Sequence, residues 1–232
     1  MASSTYWKLR RLAPRAIRVI ERRRGESGVL EAYAGTLIPK AEAFISAYDE
    51  SGKYGAAWRK EMDEGRGAIK AVLDTMRSWL PLVQRDVPGF EGRDFGDKPD
   101  VPDDVIEDAG RFFDIVADYQ NDAGEPLKYQ DNLLQKLEPA LQSAIKEWGE
   151  AESADKKYQS LLASMRQTAQ AFDDDLKPFR RSLAVVAGRS DKDYQKLRAQ
   201  KAQTSDEDDD AASPAPPSQV TSADAGVTQP VD

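Results

Sequence analysis

The chain has 232 residues, a formal net charge of −8, 40% hydrophobic and 32% charged residues, and neither histidine nor cysteine. Without those two residue types, disulfides, thiolate zinc sites, iron–sulfur clusters, Ser-His-Asp and Cys-His catalysis, histidine metal centres and histidine pH switches are excluded. The composition is that of a soluble, folded chain with a heavily solvated surface.

Residues 1–24 carry eight cations (Lys8, Arg10, Arg11, Arg15, Arg18, Arg22, Arg23 and Arg24) against the single acid Glu21. On a helical wheel Leu9, Leu12, Ala13, Ala16, Ile17 and Ile20 share one face, and Arg11, Arg15, Arg18 and Arg22 share the opposite one. Such a helix can lie on an anionic membrane, or press its apolar side on a bundle and offer its arginines to water or a partner's acids. These four arginines are the candidate contact residues for an anionic surface or partner. Pro14 implies a kink, or a helix that starts there. No apolar stretch follows the cations, which argues against a secretory signal, although organelle transit peptides share an Arg-rich, acid-poor start. The expected compartment is the cytoplasm.

From Gly28 to Arg85 an apolar stripe recurs at helical spacing. It reads Leu30, Tyr33, Leu37, Ala41, Phe44 and Tyr48, then Tyr54, Trp58, Met62, Gly65, Ile69, Val72, Met76, Trp79 and Val83. Ser51-Gly52-Lys53-Tyr54-Gly55 interrupts it with two poor helix formers, so the reading is two helices, 28–50 and 54–86, joined by a kink or a tight turn. Asp86 to Asp104 is dense in Pro, Gly and Asp, yet Phe90 and Phe95 mark it as an ordered loop. Pro102 suits the first turn of a helix over 102–123, with Asp103, Asp104 and Glu107 complementing its dipole and Gly124-Glu125-Pro126 stopping it.

The clearest signal comes next. Alternating steps of three and four residues from Leu134 to Val186 meet apolar or aromatic residues everywhere except at Asp155. That is the seam of a coiled coil or long bundle, and its phase survives Gly149, so one helix over 127–187 is expected. At 1.5 Å per residue it would span about 90 Å, bent where Pro139 and Pro178 remove backbone bonds. Gly188 ends it, and 188–202 is a short basic segment, with seven cations against Asp191 and Asp193 between 180 and 201. Residues 203–232 form an acidic tail rich in Ser, Pro and Ala, with too little apolar material to offset ordering entropy; it is expected to be disordered. It reads first as a solubilising end. A tethered polyanion can also compete with external anions for residues 189–201, or for Arg11, Arg15, Arg18 and Arg22.

The sequence thus predicts an all-α protein: an elongated antiparallel bundle of long coiled-coil-like helices. A basic N-terminal helix (1–27) precedes the bundle domain (28–187), the basic segment (188–202) and the acidic tail (203–232). No stretch approaches the roughly 18 uninterrupted apolar residues of a membrane span. An acidic body with basic ends disfavours nucleic acid as a partner. Asp94-Phe95-Gly96 resembles a kinase metal-binding triplet in letters only, because the other kinase motifs are missing. Asp94, Asp97, Asp100, Asp103 and Asp104 do not follow calcium-loop spacing and read as turn and cap residues. Asp173-Asp174-Asp175 reads as a solvated helix face, and Trp58, Trp79, Trp148, Tyr33, Tyr48 and Tyr158 as core. No catalytic set, cofactor site or metal site is singled out. The expectation is a non-enzymatic interaction or scaffold protein with an unspecified protein partner. The alternative is a peripheral membrane protein held by its N-terminal helix, and a small carboxylate enzyme or ligand-binding bundle ranks third.

Overall fold

The computed structural model describes residues 3–92 and 95–198. The expected disordered tail, together with Asp94 of the Asp-Phe-Gly triplet, lies outside the described residues. Among the described residues five helices occur in chain order: α1 (Ser3–Arg23), α2 (Gly28–Asp86), α3 (Pro102–Asp118), α4 (Gln130–Val186) and α5 (Lys192–Leu197). Among the described residues there is no strand, so the fold is all-α. The chain divides into two compact units, one built from 3–45 and 169–198, the other from 46–168.

In the first unit the opening of α2 lies antiparallel to the end of α4. Tyr33 meets Phe179 edge-on at 5.3 Å, Lys40 bonds Asp175 at 2.6 Å, and Phe44 stacks on Phe172 at 6.0 Å. The alternating apolar steps read from the sequence are the residues that vanish from solvent: Leu30, Leu37, Ala41 and Phe44 opposite Ala169, Phe172, Leu176, Phe179 and Leu183. Ser27 caps α2, its Oγ accepting from the Leu30 N–H at 3.3 Å. Gly188, at φ +86°, ends α4 in the left-handed conformation that glycine adopts without steric cost.

The second unit pairs the remainder of α2 with the beginning of α4, again antiparallel. Trp58 stacks on Tyr158 at 4.7 Å and Trp79 on Tyr129 at 5.7 Å. Helix α3 closes this unit by burying Val105, Ala109, Phe112 and Val116 against Ile69, Val72, Met76, Leu133 and Leu137. The loop before α3 is ordered as expected, with Phe90 and Phe95 stacked at 5.1 Å and both rings leaning on Phe112. Asp108 lies buried beneath it and accepts from the Gly96 N–H at 2.8 Å and from Arg111 at 2.5 Å. Gly96 has φ +68°, a backbone conformation that favours glycine, and a Cβ there would also displace the Leu73 Cδ1 methyl 2.8 Å away.

Several expectations require correction. No turn separates 28–50 from 54–86, because α2 runs unbroken through Gly52 and Gly55. Packing outweighs the propensity cost there: Ser51 is buried with its Oγ on the Tyr48 carbonyl and on Met165 Sδ, and Gly55 leaves room for the Tyr158 ring. Helix α3 ends at Asp118 rather than 123. Tyr119 leaves in an extended conformation, and Asn121 organises the following turn by accepting from the Ala123 and Glu125 N–H groups. Helix α4 starts at Gln130 rather than 127; the Gln130 side chain accepts from the Leu127 N–H and donates to the Ala117 carbonyl. Helix α1 starts at Ser3, with Pro14 inside it. The apolar seam also frays at both ends: Val186 is exposed, and Leu133 rather than Leu134 is the fully buried leucine at the start of α4.

Candidate functional site

The first unit carries the basic residues that the sequence singled out. Helix α1 buries Ala13, Ala16, Val19 and Ile20 completely or nearly so, with Leu9, Leu12 and Ile17 half-buried. Its apolar face is therefore occupied by protein. On the other side Arg11 and Arg18 are exposed. Arg11 lies over the Trp7 ring at 4.6 Å, and Arg18 Nε donates to the Pro14 carbonyl at 3.2 Å. Arg15 is half-buried. Arg22 is drawn away from this group, because its Nη1 bonds Asp193 of α5 at 2.8 Å.

That last contact belongs to an ion-pair clasp between α1 and α5. Arg23 reaches Asp193 Oδ2 through Nε at 3.0 Å and Asp191 Oδ2 through Nη2 at 2.6 Å, while its Nη1 bonds Glu26 at 3.1 Å. Asp193 is almost wholly buried, its side chain 3% exposed, so its carboxylate depends on these donors for solvation. Burial alone would depress the Arg23 pKa; the bonds to Asp193, Asp191 and Glu26 outweigh it and hold the guanidinium firmly charged. Burial alone would likewise raise the Asp191 pKa. The N–H groups of Tyr194 and Asp193, joined by Arg23, instead hold it below the ordinary aspartate value. The same Asp191 Oδ1 accepts from the Asp193 N–H at 2.8 Å and from the Tyr194 N–H at 3.2 Å, which caps a helix of only six residues. By sequence this segment is simply basic. The structure shows that its two acids position it, and an Asp-x-Asp at a helix start within a basic run is the signal that points to them.

Beside the clasp lies a cleft of about 380 Å³ lined by Lys177, Arg180 and Arg181 of α4, Tyr194 of α5, and Arg198 just beyond it. Arg180 Nε donates to the Leu197 carbonyl, but its Nη2 is buried without a hydrogen-bond partner among the described residues. Burial pulls the Arg180 pKa below the usual arginine value, partly offset by Asp173 and Tyr194. Lys177 is paired with Asp173 at 2.7 Å, whereas Arg181 and Arg198 have no ion-pair partner among the described residues. The sequence reading reached Tyr194 and Arg198 only as part of the basic segment 189–201, and it did not single out Lys177, Arg180 or Arg181.

The second unit has a wider cleft, about 520 Å³, lined by Thr75, Ser78, Trp79, Leu82 and Lys136, with Lys136 Nζ 5.7 Å from the centre of the Trp79 ring. It holds no carboxylate and no paired nucleophile and base. The loop acids take structural parts: Lys98 bonds Asp104 at 2.9 Å, and Asp103 lies in the first turn of α3. Among the described residues no group of three acidic side chains is arranged to hold a metal ion, and no helix is long and apolar enough to cross a membrane. Comparison with protein-family models, with curated proteins and with solved structures returned no match for this chain.

Proposed function

We propose that this chain is a non-enzymatic helical interaction protein that holds an acidic protein partner on the arginine face of α1. The observation that supports this reading is the division of labour across α1: its apolar face is buried in the unit, while Arg11 and Arg18 stand in solvent beside Arg15. Guanidinium groups so presented match carboxylates geometrically, and a rigid helix presents them at little entropic cost. Inserting its apolar face into a membrane would require α1 to withdraw Ala13, Ala16, Val19 and Ile20 from their packing, which leaves only the arginine face for a partner and favours an acidic protein surface. The same reading has the protein act in the cytoplasm.

The test compares the full chain with its R11E/R15E/R18E variant, both checked for helicity. Blocked poly-glutamate peptide and phosphatidylserine-containing vesicles serve as separate probes. Peptide binding that weakens by about tenfold or more in the variant supports the reading. Unchanged peptide binding overturns it, and vesicle binding without peptide binding transfers the function to a membrane surface.

A further inference from the structure

We propose that the cleft lined by Lys177, Arg180, Arg181, Tyr194 and Arg198 is a carboxylate-binding site whose resident ligand is the chain's own acidic cluster, Asp206-Glu207-Asp208-Asp209-Asp210. The proposal involves none of the α1 arginines, so it stands or falls independently of the function proposed above.

Three observations carry it. The cleft gathers four cations, while the two acids nearest Lys177 are already engaged, Asp173 by Lys177 itself at 2.7 Å and Asp174 by the Gln170 side chain at 2.8 Å. At its wall the Arg180 guanidinium keeps one nitrogen, Nη2, buried and without an acceptor among the described residues. A buried donor of that kind is costly unless something accepts from it, and an ionised acceptor suits a guanidinium best. The third observation is position. Arg198 both lines the cleft and ends the described chain, and only seven residues, 199–205, separate it from Asp206. Those seven residues reach about 25 Å when extended, ample to return the cluster to a cleft that starts at Arg198. An intramolecular ligand on so short a tether has an effective concentration near the millimolar range, which makes even a weak cluster of ion pairs well populated. Five consecutive acids would also supply Arg181 and Arg198 with the ion-pair partner that they lack among the described residues.

The experiment uses the full chain and a full-length variant in which Asp206, Asp208, Asp209 and Asp210 become Asn and Glu207 becomes Gln. Blocked penta-aspartate peptide and inorganic phosphate are titrated separately into both at low and high salt. The expected result is that penta-aspartate binds the neutralised variant at least about tenfold more tightly than the native chain, with the difference vanishing at high salt. Adding R181Q and R198Q to the neutralised variant should abolish the gain; these exposed positions avoid the folding risk of replacing Arg180. Equal affinity of penta-aspartate for both chains, or no binding to the neutralised variant, overturns the proposal. Phosphate binding that is equally tight in both chains also overturns it, because the cleft would then serve a free anion.

Discussion

The indole N–H of Trp58 donates to Asp155 Oδ1 across 2.9 Å, joining α2 to α4 at the one polar position in the α4 seam. Read along the sequence, Asp155 is a flaw in a run of apolar residues. Across the helix pair it is the acceptor that lets a Trp ring stack on Tyr158 without leaving its N–H unpaired.

This pairing is measurable as a coupling. In a double-mutant cycle of D155A and W58F, thermal and urea unfolding should return an interaction energy of about 1 kcal/mol, modest because both residues are only half-buried. D155N, which keeps an acceptor, should lose less than D155A. A coupling near zero would mean that Asp155 is only a solvated interruption of the seam.

Glycines within the long helices should respond in opposite senses. A Cβ at Gly65 would lie 2.9 Å from Ala151 Cβ and 3.2 Å from the Glu147 carbonyl oxygen, so G65A must push α2 and α4 apart. The expected loss is about 1–3 kcal/mol. Gly67 and Gly149 face open space, and G67A or G149A should each gain about 0.5–1 kcal/mol from helix propensity alone. Denaturant melts of the three variants decide this; a stable G65A would contradict the close approach of the helices.

The clasp between α1 and α5 should show a defined acid sensitivity. Asp191 has its folded pKa depressed below its ordinary value of 3.8, so its contribution is fully present above about pH 4 and is lost as pH falls through the depressed value. Melting temperatures of the native chain and of D191N, which keeps a capping side chain, should differ by a constant amount from neutral pH down to about pH 4 and converge below it. D193A should cost more than D191N at neutral pH, about 2–3 kcal/mol, because it leaves Arg23 and Arg22 without their buried acceptor. A gap between the native chain and D191N that widens on acidification would refute the assignment.

By itself the sequence determined the helical class, the seam from Leu137 to Leu183, the loop at Phe90 and Phe95, and the stop at Gly188. Each of these rests on spacing or on a backbone preference within a few residues. An apolar stripe must be covered, whatever covers it, and a left-handed turn needs glycine wherever it occurs. Tertiary structure decided the rest. Local propensity at Gly52 and Gly55 favoured a break in α2, yet Met165 and Tyr158 on the opposite helix bury that stretch and carry the helix through. The parts of the basic residues were settled the same way. Arg22 and Arg23 became partners of Asp193, some 170 residues distant, and Arg180 became a cleft wall, because charges pair through space and no periodicity within one helix reports what folds against it.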